Sequence, residues 1–454
     1  MVWGRTSELK YLNAYFDREG SQIVVVYGER NVGKTALLEQ FVQDKPYSYY
    51  RARSASEREQ RYLWGAEVGK GGGIVSKYPS FTEILQSLCV HKMNKKVIII
   101  DEFQYIIKAG SEFMKELTAF LSDMAKEMQI MVVLCSSSIG WVENSMINRI
   151  GDAAHELSGL LKVRELSFET TMEYFPGFSM EQCIEAYAVL GGMPGLWRHF
   201  DDKLSIRENI CRHILTKGCY LHYEGQRIVE EELRETSVYD TILASIAAGN
   251  HKLNDLYLHT EFSRAKISVY LKNLMELELV EKIFSYDTEG KANAQKGIYR
   301  ITNHFVDFYF TFLYPNLSRL EQLSPEKFYL SFIAPAFKGY VAEYFKTVCQ
   351  QHIEKWSKWK RLPIEVDRIG EWVGKFGTID VVAQSQEGET IIGICNWDKP
   401  MMRYDDYEWL LFCAQKAKLH ADYIYLFSVG RFDEKLDLEA KVKRNLRLIS
   451  LDEM

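Results

Sequence analysis

Three short apolar runs stand out in the N-terminal third of the chain, each bounded by polar positions. Gln22-Ile-Val-Val-Val-Tyr27 is rich in β-branched residues and predicts a buried strand. Lys96-Val-Ile-Ile-Ile100 ends in two acids, and Ile130-Met-Val-Val-Leu-Cys135 ends in three serines. Runs that are apolar on both faces fit the central strands of a parallel sheet covered by helices. From 163 to about 234 the spacing becomes helical. Three amphipathic helices are then predicted over 237–247, 253–258 and 263–277, with Ser263 as an N-cap. Strands at 281–286 and 297–302 flank a polar, glycine-containing stretch, 287–296. Residues 316–325 read as a polar linker bounded by prolines. Helical spacing over 336–352 precedes strands at 378–383, 390–395 and 423–427, with a helix at 407–419. The pattern predicts an α/β protein in four parts: 1–162, 163–235, 236–314 and 325–454.

Chemistry enters right after the first strand. Gly28-Glu-Arg-Asn-Val-Gly33-Lys34-Thr35 has the spacing of a phosphate-binding loop, placed between a strand and a helix beginning near Ala36. The loop Gly28, Glu29, Arg30, Asn31, Val32, Gly33, Lys34, Thr35 and Ala36 offers backbone amides to a polyphosphate, reinforced by the helix N-terminus. Lys34 would reach the β- and γ-phosphates, and the Thr35 hydroxyl would ligate Mg²⁺. Asp101, at the end of the second run, would hold the same ion. Glu102 would act as general base on the attacking water. Ser136, Ser137 and Ser138 either meet the γ-phosphate or water, or simply form a polar turn. ATPases with a catalytic glutamate place one strand between the loop strand and the acid strand, an order that one-dimensional pattern does not reveal.

With these residues the chain resembles archaeal-type ATPases of the STAND branch of AAA+-like proteins. The resemblance spans nearly the whole length. It rests on the Trp3-Gly4-Arg5-Thr-Ser-Glu8-Leu9 box, the loop, Ile100-Asp101-Glu102-Phe103-Gln104-Tyr105, the serine-rich strand end and Gly191-Gly192-Met193-Pro194. It implies a P-loop domain with a helical lid, a winged helix and a C-terminal restriction-endonuclease-like α/β domain. It implies ATP rather than GTP, in keeping with the lack of an Asn-Lys-x-Asp guanine motif. It also implies contacts to the nucleotide base from Gly4, Arg5, Gly192 and Pro194. By spacing alone, Gly191-Gly192-Met193-Pro194 reads as a helix terminator. Glu29 and Asn31 depart from the arginines usual in the family's loop, but those positions contribute amides. Arg149 is either a γ-phosphate sensor or a surface arginine.

Further on, the three helices and two strands make a winged-helix pattern whose third helix carries Arg264, Lys266 and Lys272. Between 237 and 301 eight basic residues balance eight acidic ones, whereas DNA readers are markedly basic. The C-terminal order resembles nucleases that hold Mg²⁺ with acids and carry a Glu-x-Lys strand. Glu343 and Asp380 match the first two acids. Gly393-Ile394-Cys395-Asn396-Trp397 has isoleucine and asparagine where that strand needs glutamate and lysine, which predicts lost cleavage. The segment 354–361 interleaves four basic residues with Trp356 and Trp359, either to stack bases or to end an amphipathic helix.

The formal net charge of −6 gives no general case for nucleic acid. No apolar run reaches bilayer length, and several of the eight scattered cysteines lie in apolar stretches and read as reduced core residues, so a cytoplasmic protein is expected. The expected ligands are ATP or ADP with Mg²⁺. DNA, a protein partner and oligomerisation are left open. Two functions follow: a nucleotide-driven switch, or an ATP-regulated DNA-binding protein or nuclease.

Overall fold

The computed structural model describes residues 2–69, 76–89, 95–124, 128–233, 235–286 and 297–454. The chain forms two compact units: residues 1–166 with 193–195, and residues 167–192 with 196–454.

The first unit is built on a five-stranded parallel sheet. Its strands are β1 (Gln22–Tyr27), β2 (Tyr47–Arg51), β3 (Lys95–Asp101), β4 (Gln129–Ser136) and β5 (Gly159–Lys162), in spatial order β2-β3-β4-β1-β5. All four pairings are parallel. The apolar runs are buried as their patterns require, with Val24, Val25, Ile100, Val132 and Val133 fully enclosed. Strand β2 (Tyr-Ser-Tyr-Tyr-Arg) was not legible in the pattern, because only Tyr50 of it is buried. Helices α1 (Thr6–Phe16) and α2 (Lys34–Phe41) flank the phosphate-loop strand. On one face Tyr50 stacks on Trp64 with ring centroids 4.4 Å apart, within a core that includes Phe81, Phe103 and Phe113.

In the second unit, a helix Met180–Leu190 starts in a capping box from Ser179 and stops at Gly191, whose φ of +60° is a terminating conformation. The three predicted helices appear as Thr236–Ala247, Leu253–Thr260 and Arg264–Glu276, the last capped by the Ser263 hydroxyl. They lead into an antiparallel ribbon, β6 (Val280–Phe284) and β7 (Gly297–Ile301). The expected polar stretch 287–296 lies outside the described residues. The expected linker 316–325 is corrected: Leu317–Gln322 is helical with Leu320 buried, and Ser324 caps a further turn that begins at Pro325. Proline at the first helical position starts a helix rather than marking a break.

The long helix Ala334–Lys358 packs on a second five-stranded sheet. Its strands are β8 (Arg368–Val373), β9 (Thr378–Gln384), β10 (Thr390–Asn396), β12 (Tyr423–Ser428) and β14 (Leu446–Ser450), ordered β14-β12-β10-β9-β8. The pairs β8–β9 and β9–β10 are antiparallel, while β10–β12 and β12–β14 are parallel. Two short strands, β11 (Met401–Met402) and β13 (Arg431–Phe432), pair separately. The ribbon is tied to the β8 edge. Tyr286 donates its N–H to the Glu371 carbonyl (2.9 Å), Val373 donates to the Ser285 hydroxyl (3.0 Å), and Arg300 pairs with Glu371 (2.9 Å). Among the described residues no helix is long and apolar enough to cross a membrane.

Candidate active site

Strand β1 delivers Gly28 to the C-terminal edge of the first sheet, where ligands of open α/β sheets sit. Gly28 must be glycine, since a Cβ there would stand 2.2 Å from the Val163 carbonyl oxygen at the end of β5. Gly33 (φ +96°) turns the loop into α2. Asn31 also takes a positive φ, +65°, which asparagine tolerates better than most residues. The Lys34 ammonium lies over the loop and donates to the carbonyls of Gly28 (2.7 Å) and Glu29 (2.8 Å). Thr35 is exposed at the first turn of α2, open to an incoming group.

Arg5 is buried beneath this loop. Its guanidinium donates to the Val32 carbonyl (2.7 Å) and pairs with Glu8 (2.7 Å), so it braces the loop from below. Gly4 precedes it at φ +60°. From far along the chain, Met193–Gly195 join this unit. A Cβ on Gly33 would meet Pro194 Cγ at 3.0 Å, and the Gly195 N–H donates to the Asn31 carbonyl at 2.9 Å. Gly195 is a loop-contacting residue that the sequence reading did not single out. A Cβ at that position would lie 2.8 Å from Asn31 Cα, so the close approach needs glycine. Its only signal in the sequence is the position next to Pro194.

Strand β4 lies between β1 and β3, the arrangement that ATPases with a catalytic glutamate require. Asp101 closes β3 and is almost fully buried. One of its oxygens accepts the Tyr49 hydroxyl at 2.7 Å, and the other accepts the Glu102 N–H at 3.1 Å. Burial and the adjacent carboxylate push the Tyr49 phenol well above its ordinary range, so it stays a donor. Glu102 adopts φ +54°. A single oxygen, Oε2, accepts from the Ser137 hydroxyl (2.7 Å), the Ser137 N–H (3.1 Å) and the Gln104 amide (2.6 Å). Ser136 is fully buried and accepts the Ser138 N–H, so it shapes the turn. Ser137 thus reaches a candidate catalytic group.

In the second unit, Lys346 lies between the two acids expected of a nuclease. Its Nζ stands 3.1 and 3.0 Å from the Glu343 oxygens and 3.5 Å from Asp380. The Cys395 N–H donates to the other Asp380 oxygen at 3.0 Å. Ile394 packs instead against the core that contains Ile379, Val382 and Ile392. Asn396 is spent on its own turn, bonding the Lys399 backbone and the Ser428 hydroxyl.

Residues 3–199 match a family described as an ATPase domain predominantly from Archaea. The chain carries an archaeal-type ATPase domain. Residues 309–408 match a second family, of archaeal and bacterial proteins of unknown function. An uncharacterized protein of Methanocaldococcus jannaschii is 27% identical over 384 residues, 84% of this chain and 84% of its own. Among solved structures, a Walker-type ATPase of Pyrococcus abyssi aligns with TM-score 0.49 and 18% identity, over 68% of this chain and 96% of that one. The ORC2 protein of Aeropyrum pernix, in ADPNP–ADP complexes, aligns with TM-score 0.44 and 13% identity, over 71% of this chain and 94% of that one.

The ATPase-domain match runs from Trp3 past Pro194, so it takes in the first box and the glycine-proline segment together with the loop. Within the ATPase domain Arg149 is exposed on the single turn Ile147–Ile150. Gly192 falls in the other unit.

Proposed function

We propose that this protein binds ATP with Mg²⁺ and hydrolyses it, using the two nucleotide states as a switch. The observation that carries this reading is the convergence, on one sheet edge, of the loop with Lys34 and the strand-end pair Asp101–Glu102. The donor set suits Mg²⁺, which takes a hydroxyl and one carboxylate and fills its remaining positions with phosphate oxygens and water. Thr35 and Asp101 would hold it, and it would neutralise charge developing on the transferred phosphoryl group. Loop amides and Lys34 bind the phosphates, which requires the ammonium to leave the Gly28 and Glu29 carbonyls. Glu102 takes the proton of the attacking water, its carboxylate aimed by Ser137 and Gln104. Pro194 and Gly195 lie on the loop and belong to the segment that follows the helix Met180–Leu190. Nucleotide that orders the loop is therefore felt along that segment.

Steady-state ATP turnover by the full chain tests this. Wild type should turn over, Glu102→Gln should bind ATP but lose about 10²–10⁴-fold in kcat, and Lys34→Ala should lose phosphate binding. Turnover unchanged in Glu102→Gln would sink the assignment of the base.

For the C-terminal module we propose a nuclease-like domain that no longer cuts. The mixed five-stranded sheet with Glu343 and Asp380 near one another supports the likeness, and an isoleucine, Ile394, packed against the core where a carboxylate is needed supports the loss. The balanced charge of the three-helix module supports a packing role over DNA reading; on its third helix Arg264 bonds Asn254 (2.7 Å) and lies over Tyr257, Lys266 lies over Phe262, and Lys272 pairs with Glu276, all at the surface. Mg²⁺-dependent nicking of plasmid DNA, abolished by Asp380→Ala, would overturn the loss of cleavage.

A further inference from the structure

Nucleases of the class named above hold a divalent cation between carboxylates. The residues here do not fit that ion. Glu343 stands on the long helix, and Lys346 follows it by one turn on the same face. That spacing sends the lysine ammonium into the space between Glu343 and Asp380, at 3.0 Å from one and 3.5 Å from the other. Asp380 is nearly buried, and its second oxygen is already taken by the Cys395 N–H. A third acid nearby, Glu371, is paired with Arg300. Burial works against the charge on Lys346, but Asp380 and Glu343 outweigh it and raise its pKa above the ordinary lysine value. Among the described residues no group of three potential ligands is placed to hold a metal ion.

We infer that Lys346 is a built-in cation: its ammonium takes the place between Glu343 and Asp380 that a divalent ion would need, so the C-terminal module binds no such ion. This rests on the nuclease-like reading of the module and adds a physical reason for its silence. A divalent ion entering between these acids would meet a fixed positive charge within contact distance. Removing the ammonium should therefore do what restoring a glutamate alone would not: open the acids to metal.

The test is Mn²⁺ binding, read by loss of the free-ion electron paramagnetic resonance signal. It uses the full chain without nucleotide, carrying Thr35→Ala to silence the phosphate-loop site. With Lys346 in place, adding Asp380→Asn should leave Mn²⁺ binding unchanged. Lys346→Met should create one site, about tenfold tighter than any background binding, that Asp380→Asn removes. A site present with Lys346 intact and lost in Asp380→Asn would overturn the inference. So would a folded Lys346→Met chain, judged by circular dichroism and its melting curve, that gains no site. If Lys346→Met does not fold, the comparison at Asp380 decides alone. Mn²⁺ binding without plasmid nicking would defeat only the built-in cation, whereas nicking would defeat the inactive-nuclease reading as well.

Discussion

Glu102 holds a left-handed backbone conformation that costs a non-glycine residue roughly 1–2 kcal/mol, and three donors converge on one of its oxygens. Such a position persists only where the surroundings over-determine it. Its neighbour Asp101 is oriented from the edge of the sheet by Tyr49. Tyr49→Phe should therefore leave the fold intact but raise the Mg²⁺ concentration for half-maximal turnover by about tenfold, as loss of an outer-shell partner does. An unchanged Mg²⁺ titration would assign Tyr49 to packing only. A different residue contributes to pH dependence. Asp307 in the second unit is enclosed by Tyr340 and Tyr344, and burial raises its pKa to about 6 despite the 2.6 Å hydrogen bond from Tyr344. A raised carboxyl favours the protonated fold, so its contribution is fullest below the unfolded value and is lost as pH rises through about 6. Asp307→Asn should melt increasingly above wild type between about pH 4 and pH 7, by up to roughly 2–3 kcal/mol. Parallel melting curves across that range would remove Asp307 from the account.

Among the elements, the phosphate loop is clamped from both sides. Strand β5 closes on Gly28 through Val163, and Pro194-Gly195 closes on Gly33 and Asn31. Gly28→Ala forces the end of β5 or the loop to move, and should cost about 1–3 kcal/mol of stability along with most nucleotide affinity. Denaturant melts combined with a fluorescent-nucleotide titration would check both, and normal binding would mean that the clamp is soft. The ribbon β6–β7 shows the same dependence on neighbours. A two-stranded ribbon is marginal alone, and here its end borrows Glu371 and Val373 of β8 as hydrogen-bond partners. That docking gives the ribbon backbone and side-chain partners that it lacks alone.

Across the whole molecule, each unit encloses its own apolar core, one around Phe81, Phe103 and Phe113 and one around Ile379, Ile392 and Leu426. Calorimetry should resolve two transitions. Saturating MgATP should shift only the one that contains Lys34, by about 2.7 kcal/mol when ligand is at a hundredfold its Kd, and Lys34→Ala should abolish the shift. One transition that moves as a whole would show that the units unfold together.

What the amino-acid order marked by itself was the candidate nucleotide site. A phosphate loop is a contiguous string whose backbone amides do the binding, and Asp101 and Glu102 are adjacent at the end of one strand, so both are legible without knowing what lies beside them. The buried strands were legible for the same reason, because burial on both faces leaves an unbroken apolar run. Strand β2 was not, since an edge strand with one buried residue leaves no such trace. The tertiary structure alone placed β4 between β1 and β3, brought Tyr49 to Asp101 and Gly195 to Asn31, and set Lys346 between Glu343 and Asp380. It also turned an expected linker into a helix. These are pairings between residues tens to more than a hundred and sixty positions apart, or, for Lys346, a matter of which face of a helix meets the sheet. Local propensity does not encode them, because they are decided when side chains compete to fill a shared core.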